Sequence, residues 1–104
     1  MQLLGNRICY STAYEYGKIW MSIHTVGGNW SEKTEVNGTS KYIGSNVKQI
    51  DGVRIWSETG HVDFRVHTVN GKWWSWIDSR NCNNTDYNSY AGLLGTPIDA
   101  IQMR

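Results

Sequence analysis

Val62, Phe64 and Val66 alternate with Asp63, Arg65 and His67, the period-two pattern of a strand with one face buried. An earlier stretch repeats it: Ile19, Met21 and Ile23 point one way, and Trp20, Ser22 and His24 the other. Each stretch runs into a pair, Gly27-Gly28 or Asn70-Gly71, that accepts positive φ and so closes a hairpin. A return strand carrying tryptophan is expected next, through Trp30 in the first case and from Trp73 to Ile77 in the second. A final strand, 50–56 or 98–103, ends each half. The single proline, Pro97, stands just before the second of these, where a missing N–H is tolerated. No segment of useful length carries helical periodicity, so the pattern predicts an all-β protein.

The likeness of the two halves extends to residue identity. IHTVGGNW at 23–30 aligns with VHTVNGKW at 66–73, sharing His, Thr, Val, Gly and Trp. YIGSNVKQIDGVRI at 42–55 aligns with YAGLLGTPIDAIQM at 90–103, keeping Tyr, Gly, Ile and Asp. Internal repetition of this kind changes the expected fold. The chain reads as one domain, 1–104, made of a leader (1–16) and two copies of a strand-hairpin-strand unit, 17–56 and 60–104. The second copy is longer around NCNNTDYNS, where the offset between the copies grows from 43 to 48 residues. A unit this short buries little alone, so the two are expected to pack as a sandwich or to share a small barrel. Ile19, Met21, Ile23, Val62, Phe64, Val66, Ile98 and Ile101 are the expected core.

Composition narrows the partners. A net charge of +1 from scattered residues supplies no row of cations to neutralise phosphates, which argues against a nucleic acid. The start of the chain lacks the apolar region of a signal peptide, and no stretch is long and apolar enough to span a bilayer. A role outside a cell would then need delivery by an attached domain or release from the host cytoplasm. Cys9 and Cys82 are compatible with one disulfide or with two buried thiols. Three Asn-x-Ser/Thr matches carry no weight in so Asn-rich a chain.

Phe64-Arg65-Val66-His67, then Gly71 with Trp73-x-x-Trp76, then Tyr90-Ala91-Gly92-x-x-Gly95 and Ile98-Asp99-Ala100-Ile101 resemble the clostridial hydrophobic repeats with a conserved tryptophan. They are similar also to the C-terminal cell-wall-binding modules of endolysins and autolysins acting on Gram-positive bacteria. The resemblance covers the second unit nearly end to end. The first departs from it: Lys33 stands where Trp76 would be and Val47 where Gly95 would be, so no binding role is carried onto either. Such a module implies attachment of a lytic protein to peptidoglycan or a secondary wall polysaccharide, with catalysis in another domain and no cofactor.

The candidate chemistry follows from the aromatics. In a continuous strand, Trp74 and Trp76 share one face while Trp73, Ser75 and Ile77 share the other, so the three rings cannot all be core. Trp73 and its counterpart Trp30 are expected as packing centres. Trp74, Trp76 and Trp20 are expected to face a ligand, because an indole offers a flat apolar face and an N–H donor. Arg65, His67, Asp63 and Tyr90 are the expected polar partners, suited to hydroxyls and muramyl carboxylates. His24 and His67 recur without the company a metal site needs, and the oxygen-rich 78–86 lacks EF-hand spacing, so no metal is expected. Asp51 and Asp99 recur at equivalent positions and read as structural, and neither Cys9 nor Cys82 lies in a nucleophile motif, so the chain is expected not to be an enzyme. The other reading of exposed aromatics is a protein-interaction or oligomerisation surface, and a third, less favoured, is a small lytic hydrolase.

Overall fold

The computed structural model describes residues 2–4, 7–9, 17–37, 42–44, 48–83 and 89–104, and for 2–4, 9 and 83 the backbone only. The chain is all-β. Among the described residues, the strands in order are β1 (Gln2–Leu4), β2 (Arg7–Cys9), β3 (Ile19–Thr25), β4 (Thr34–Glu35), β5 (Ile43–Gly44), β6 (Ile50–Ser57), β7 (Asp63–Thr68), β8 (Ile77–Asp78), β9 (Ala91–Gly92) and β10 (Ile98–Met103). A 3-10 turn, Ser79–Asn83, follows β8.

The alternating stretches 19–24 and 63–68 lie in the long strands β3 and β7. β3 pairs antiparallel with β6, and β7 with β10, as the outer strands of the two repeat units. All eight expected core residues are buried, joined by Ile8, Val36, Ile43, Ile50, Val53, Ile55, Cys82 and Ala91. Each large aliphatic or aromatic side chain taken fully from water contributes about 1.5–3 kcal/mol before chain entropy is subtracted. Phe64, wholly buried, is the largest of them.

The repetition is carried by the backbone. Gly28 N–H donates to Thr25 O as Gly71 N–H does to Thr68 O, and Val26 N–H donates to Gln49 O as Val69 N–H does to Pro97 O. Gly27 and Asn70 take the positive φ that their hairpins need, +74° and +57°. Gly28 and Gly71 are fixed for a different reason: a Cβ on either would strike the hydroxyl of the threonine three residues before it.

The layers are three small antiparallel sheets, β1-β2-β5, β4-β3-β6-β9 and β10-β7-β8. They are built by exchange of short strands. Ala91–Gly92 of the second unit pairs with Val53 and Gly52 of the first, and Ile43–Gly44 of the first pairs with Ile8 and Arg7 of the leader. Each unit thus adds a strand to the sheet that precedes it.

The return segment after each hairpin also departs from expectation. Trp30 and Trp73 form single bridges to His24 and His67, and regular pairing in the second unit resumes only at Ile77. Residues 74–76 are not a strand, so the alternation of faces expected for Trp73 to Ile77 does not hold.

Gly92 has φ +117° and packs its Cα against the backbone of Asp51 and Gly52, so a Cβ there meets the Asp51 carbonyl; Gly95, at φ +98°, faces open space. Gly92→Ala should therefore cost roughly 3 kcal/mol of stability and Gly95→Ala roughly 1 kcal/mol, because only the first adds a backbone clash to the conformational strain. Urea unfolding of the two variants beside the parent measures the difference.

Candidate functional site

A β-bulge shapes the same station in each unit. Thr25 is opposite Ile50 and His24 opposite Gly52, which leaves Asp51 as the extra residue. Thr68 is opposite Ile98 and His67 opposite Ala100, which leaves Asp99. A bulge re-aims a side chain, and here both carboxylates are turned onto histidine. His24 Nδ1 lies 2.6 Å from Asp51 Oδ1, and His67 Nδ1 lies 2.7 Å from Asp99 Oδ1. With carboxylate as acceptor, Nδ1 carries the hydrogen and a neutral ring keeps its lone pair on Nε2.

Tryptophan and arginine complete each station. Trp30 meets His24 edge-on, with centroids 5.4 Å apart, and Trp73 meets His67 likewise at 5.3 Å. The Arg54 guanidinium lies 4.1 Å from the Trp30 centroid, and that of Arg65 lies 4.8 Å from Trp73. The two arginines come from opposite strands. Arg54 stands across from Ser22, and Arg65 across from Gln102, which is the counterpart of Arg54 in the repeat. Arg65 Nε donates to Gln102 Oε1 at 2.8 Å. Arg54 Nε is buried and has no acceptor among the described residues.

Trp30 and Trp73 are half-buried and stand outside the core, contrary to the expectation that they are packing centres. Each instead packs edge-on against the histidine of its His-Asp pair. Trp74, expected to face a ligand, instead packs against the core, and its indole N–H donates to Thr68 Oγ1 at 3.3 Å.

Trp76 is half-buried between Arg65 at 4.6 Å and Arg104 at 4.1 Å. Its counterpart Lys33 lies 4.7 Å from Trp56, and Trp56 is the counterpart of Arg104. The same cation–π contact is thus made in both units with the two partners exchanged. Trp20 is half-buried opposite Trp56, with Lys33 at 5.6 Å. Lys72 covers Trp74 at 5.5 Å, so all six tryptophans lie under a lysine or arginine. Tyr90 meets Trp30 edge-on at 5.4 Å, which brings a second-unit residue to the first station. Asp63 pairs with Arg104 at 3.5 Å, two residues before Arg65 on β7. Arg65, His67 and Trp76 are therefore brought together, while Trp20 sits apart on β3.

Sequence reading missed Arg54 and the active part played by Asp51 and Asp99. The signal for the aspartates was present as their repetition beside repeated histidines. Arg54 left none, since Gln102 occupies its place in the second unit.

The two stations differ in burial. Asp51 is 1% exposed and also accepts the Gly95 N–H at 2.7 Å, whereas Asp99 is 45% exposed. Elsewhere, His61, Asp63 and Asp78 converge within 4.8 Å. Asp78 is engaged by Arg80, whose Nε and Nη2 grip both carboxylate oxygens, and this hydrogen bonding holds its carboxyl at about 2 against an ordinary 3.8. Residues 84–88 of the oxygen-rich loop lie outside the described residues. Cys82 is a buried free thiol, which excludes the disulfide alternative, and burial pushes it up to about 11. The Cys9 side chain lies outside the described residues.

Compared with family models, with curated proteins and with solved structures, the chain gives no match.

Two predictions follow from the charges. Asp51→Asn should cost about 2–4 kcal/mol of stability, because it turns one of two buried acceptor oxygens, each serving a donor, into an NH2 that faces that donor, and Asp99→Asn under about 1 kcal/mol, as exposed pairs do; chemical denaturation compares them. Because the folded value of Asp78 is depressed, its small contribution is complete above pH 3.8 and lost as pH falls through about 2. In Arg80→Gln the Asp78 carboxyl should titrate near 3.8, followed by carboxyl-carbon NMR.

Proposed function

We propose that this chain is a non-catalytic carbohydrate-binding module that holds a lytic enzyme on the Gram-positive cell wall, its ligand peptidoglycan or a secondary wall polysaccharide. The observation that carries the reading is the doubled station: a half-exposed tryptophan flanked by a guanidinium and by a histidine of fixed tautomer. An indole face suits the C–H side of a sugar ring, its N–H a hydroxyl, and the cations suit carboxylate or phosphate groups along a polymer. Two stations on one chain raise retention on a repeating polymer without any single contact being strong. The resemblance of the second unit to wall-binding repeats points the same way.

Several features support a non-catalytic role. Both recurrent aspartates are spent on histidine, and Cys82 is a protonated, buried thiol at neutral pH, a poor nucleophile. A second reading, a protein-interaction or oligomerisation surface, is favoured by Leu93 and Leu94, adjacent and both exposed. The module would act at the wall, delivered by an attached domain or released from the host cytoplasm.

A fluorescent copy of the chain should decorate Gram-positive cells, and Trp30→Ala with Trp73→Ala should reduce retention on purified walls at least about tenfold, two half-buried aromatics each contributing about 1 kcal/mol or more. Pull-down on walls before and after removal of secondary polysaccharide identifies which polymer is bound. Failure to bind either intact walls or purified wall glycans sinks the reading; tight self-association without glycan binding supports the second.

A further inference from the structure

The repeats differ in composition at several places, and most differences are compensated. Arginine over the station tryptophan comes from either strand, and the contact between positions 33 and 56 is remade by 76 and 104 with its partners exchanged. Among the described residues, one change of an aromatic ring is not compensated. Trp74 of the second unit corresponds to Ser31 of the first, and the backbone places them identically: Trp74 N–H donates to Val66 O at 2.9 Å and Ser31 N–H to Ile23 O at 2.8 Å.

What Trp74 fills in one unit stands open in the other. Trp74 packs beside Ala91 and Gly92 and leaves a cleft of only about 180 Å³. Their counterparts Ser31, Ile43 and Gly44 border a cleft of about 390 Å³, within the usual range for small-molecule sites where the first is not. Gly92 and Gly44 share the same backbone conformation, φ +117° and +121°. In the second unit Thr68 Oγ1 accepts the indole N–H and is buried beneath it; in the first, Thr25 is only half-buried and lines the cleft. Lys48 stands at the wall of this cleft, and no carboxylate lines it among the described residues.

We infer that the first-unit cleft is a binding subsite for a single flat ring occupying the place of the Trp74 indole. It would bear an N–H or O–H donor for Thr25 Oγ1 and an anionic substituent directed to Lys48. Resting on the wall-binding reading, the ligand class is an N-acetylated pyranose carrying a carboxylate or a phosphate. Its amide N–H takes the role of the indole N–H, its apolar ring face lies along Ile23 and Ile43, and its charge meets the only cation lining the cleft among the described residues.

The test uses the whole chain and four probes followed by amide NMR: indole, N-acetylglucosamine, N-acetylmuramic acid and N-acetylglucosamine 1-phosphate. Indole should shift the amides of Thr25, Ser31 and Gly44, and Ser31→Trp, which rebuilds the second-unit arrangement, should abolish those shifts. The acidic sugars should bind at the same place about threefold more tightly than N-acetylglucosamine, an advantage that Lys48→Gln removes. Whichever acid is preferred distinguishes a muramyl carboxylate from a wall phosphate. Thr25→Val should weaken sugar binding about fivefold through loss of one hydrogen bond, and serves as the test if Ser31→Trp does not fold. Absence of indole shifts in the cleft overturns the subsite, and indole binding without sugar binding overturns its ligand class. Sugars retained in the cleft by a chain that fails to hold whole walls overturn the wall-targeting reading while leaving the subsite standing.

Discussion

The hydrogen bond from histidine to a bulged aspartate is the constraint on which both units are built. In an unbroken ladder, side-chain direction alternates strictly, and a residue next to the one opposite His24 would point away from it. Inserting Asp51 into β6, and Asp99 into β10, breaks that parity and brings a carboxylate onto the ring nitrogen. The fixed ring then gives the tryptophan of the return segment an edge to pack against. With no regular strand at Trp30 or Trp73, this contact, a single backbone bridge and the arginine over the ring hold the indole in place.

The two pairs have diverged in what they support. Asp51 is enclosed, and an enclosed carboxylate is tolerable only when its lone pairs are used. The second donor is the Gly95 N–H, from the turn beyond β9, a strand that has joined the sheet of the first unit. Tyr90, at the start of the same segment, packs on Trp30. The first station is therefore assembled from both units, and neither half would keep it intact alone. Asp99 is solvated, so the second station tolerates change more readily.

Much of this was legible in sequence because burial imposes a period. Every residue of the alternating stretches 19–23 and 62–66 that was expected inside is inside, and the turn residues at Gly27 and Asn70 take the expected backbone. Short strands were not legible: Ile43–Gly44 and Ala91–Gly92 are two residues each, too brief to show periodicity, yet they determine that three sheets form. Trp73 and Trp74 differ from expectation for another reason. Repetition of Trp30 at Trp73 suggests a packing centre and the unmatched Trp74 a ligand face, but the repeat conserves the histidine station, and Trp74 packs on the core where the chain has left strand geometry.

Comparison of the repeats also separates two kinds of unmatched residue that look alike in an alignment. Trp76 against Lys33 and Arg65 against Ser22 are exchanges: a cation and an aromatic ring attract whichever strand supplies each, so the pair can swap sides with little change in energy. Trp74 against Ser31 is a deletion, since nothing else in the first unit supplies an indole above Thr25. The cleft left there opens to solvent, with Asn29, Ser31 and Lys48 exposed along it. Bordered by a hydroxyl whose counterpart accepts an indole N–H and by a lysine, it has the composition of a site a ring could enter from outside.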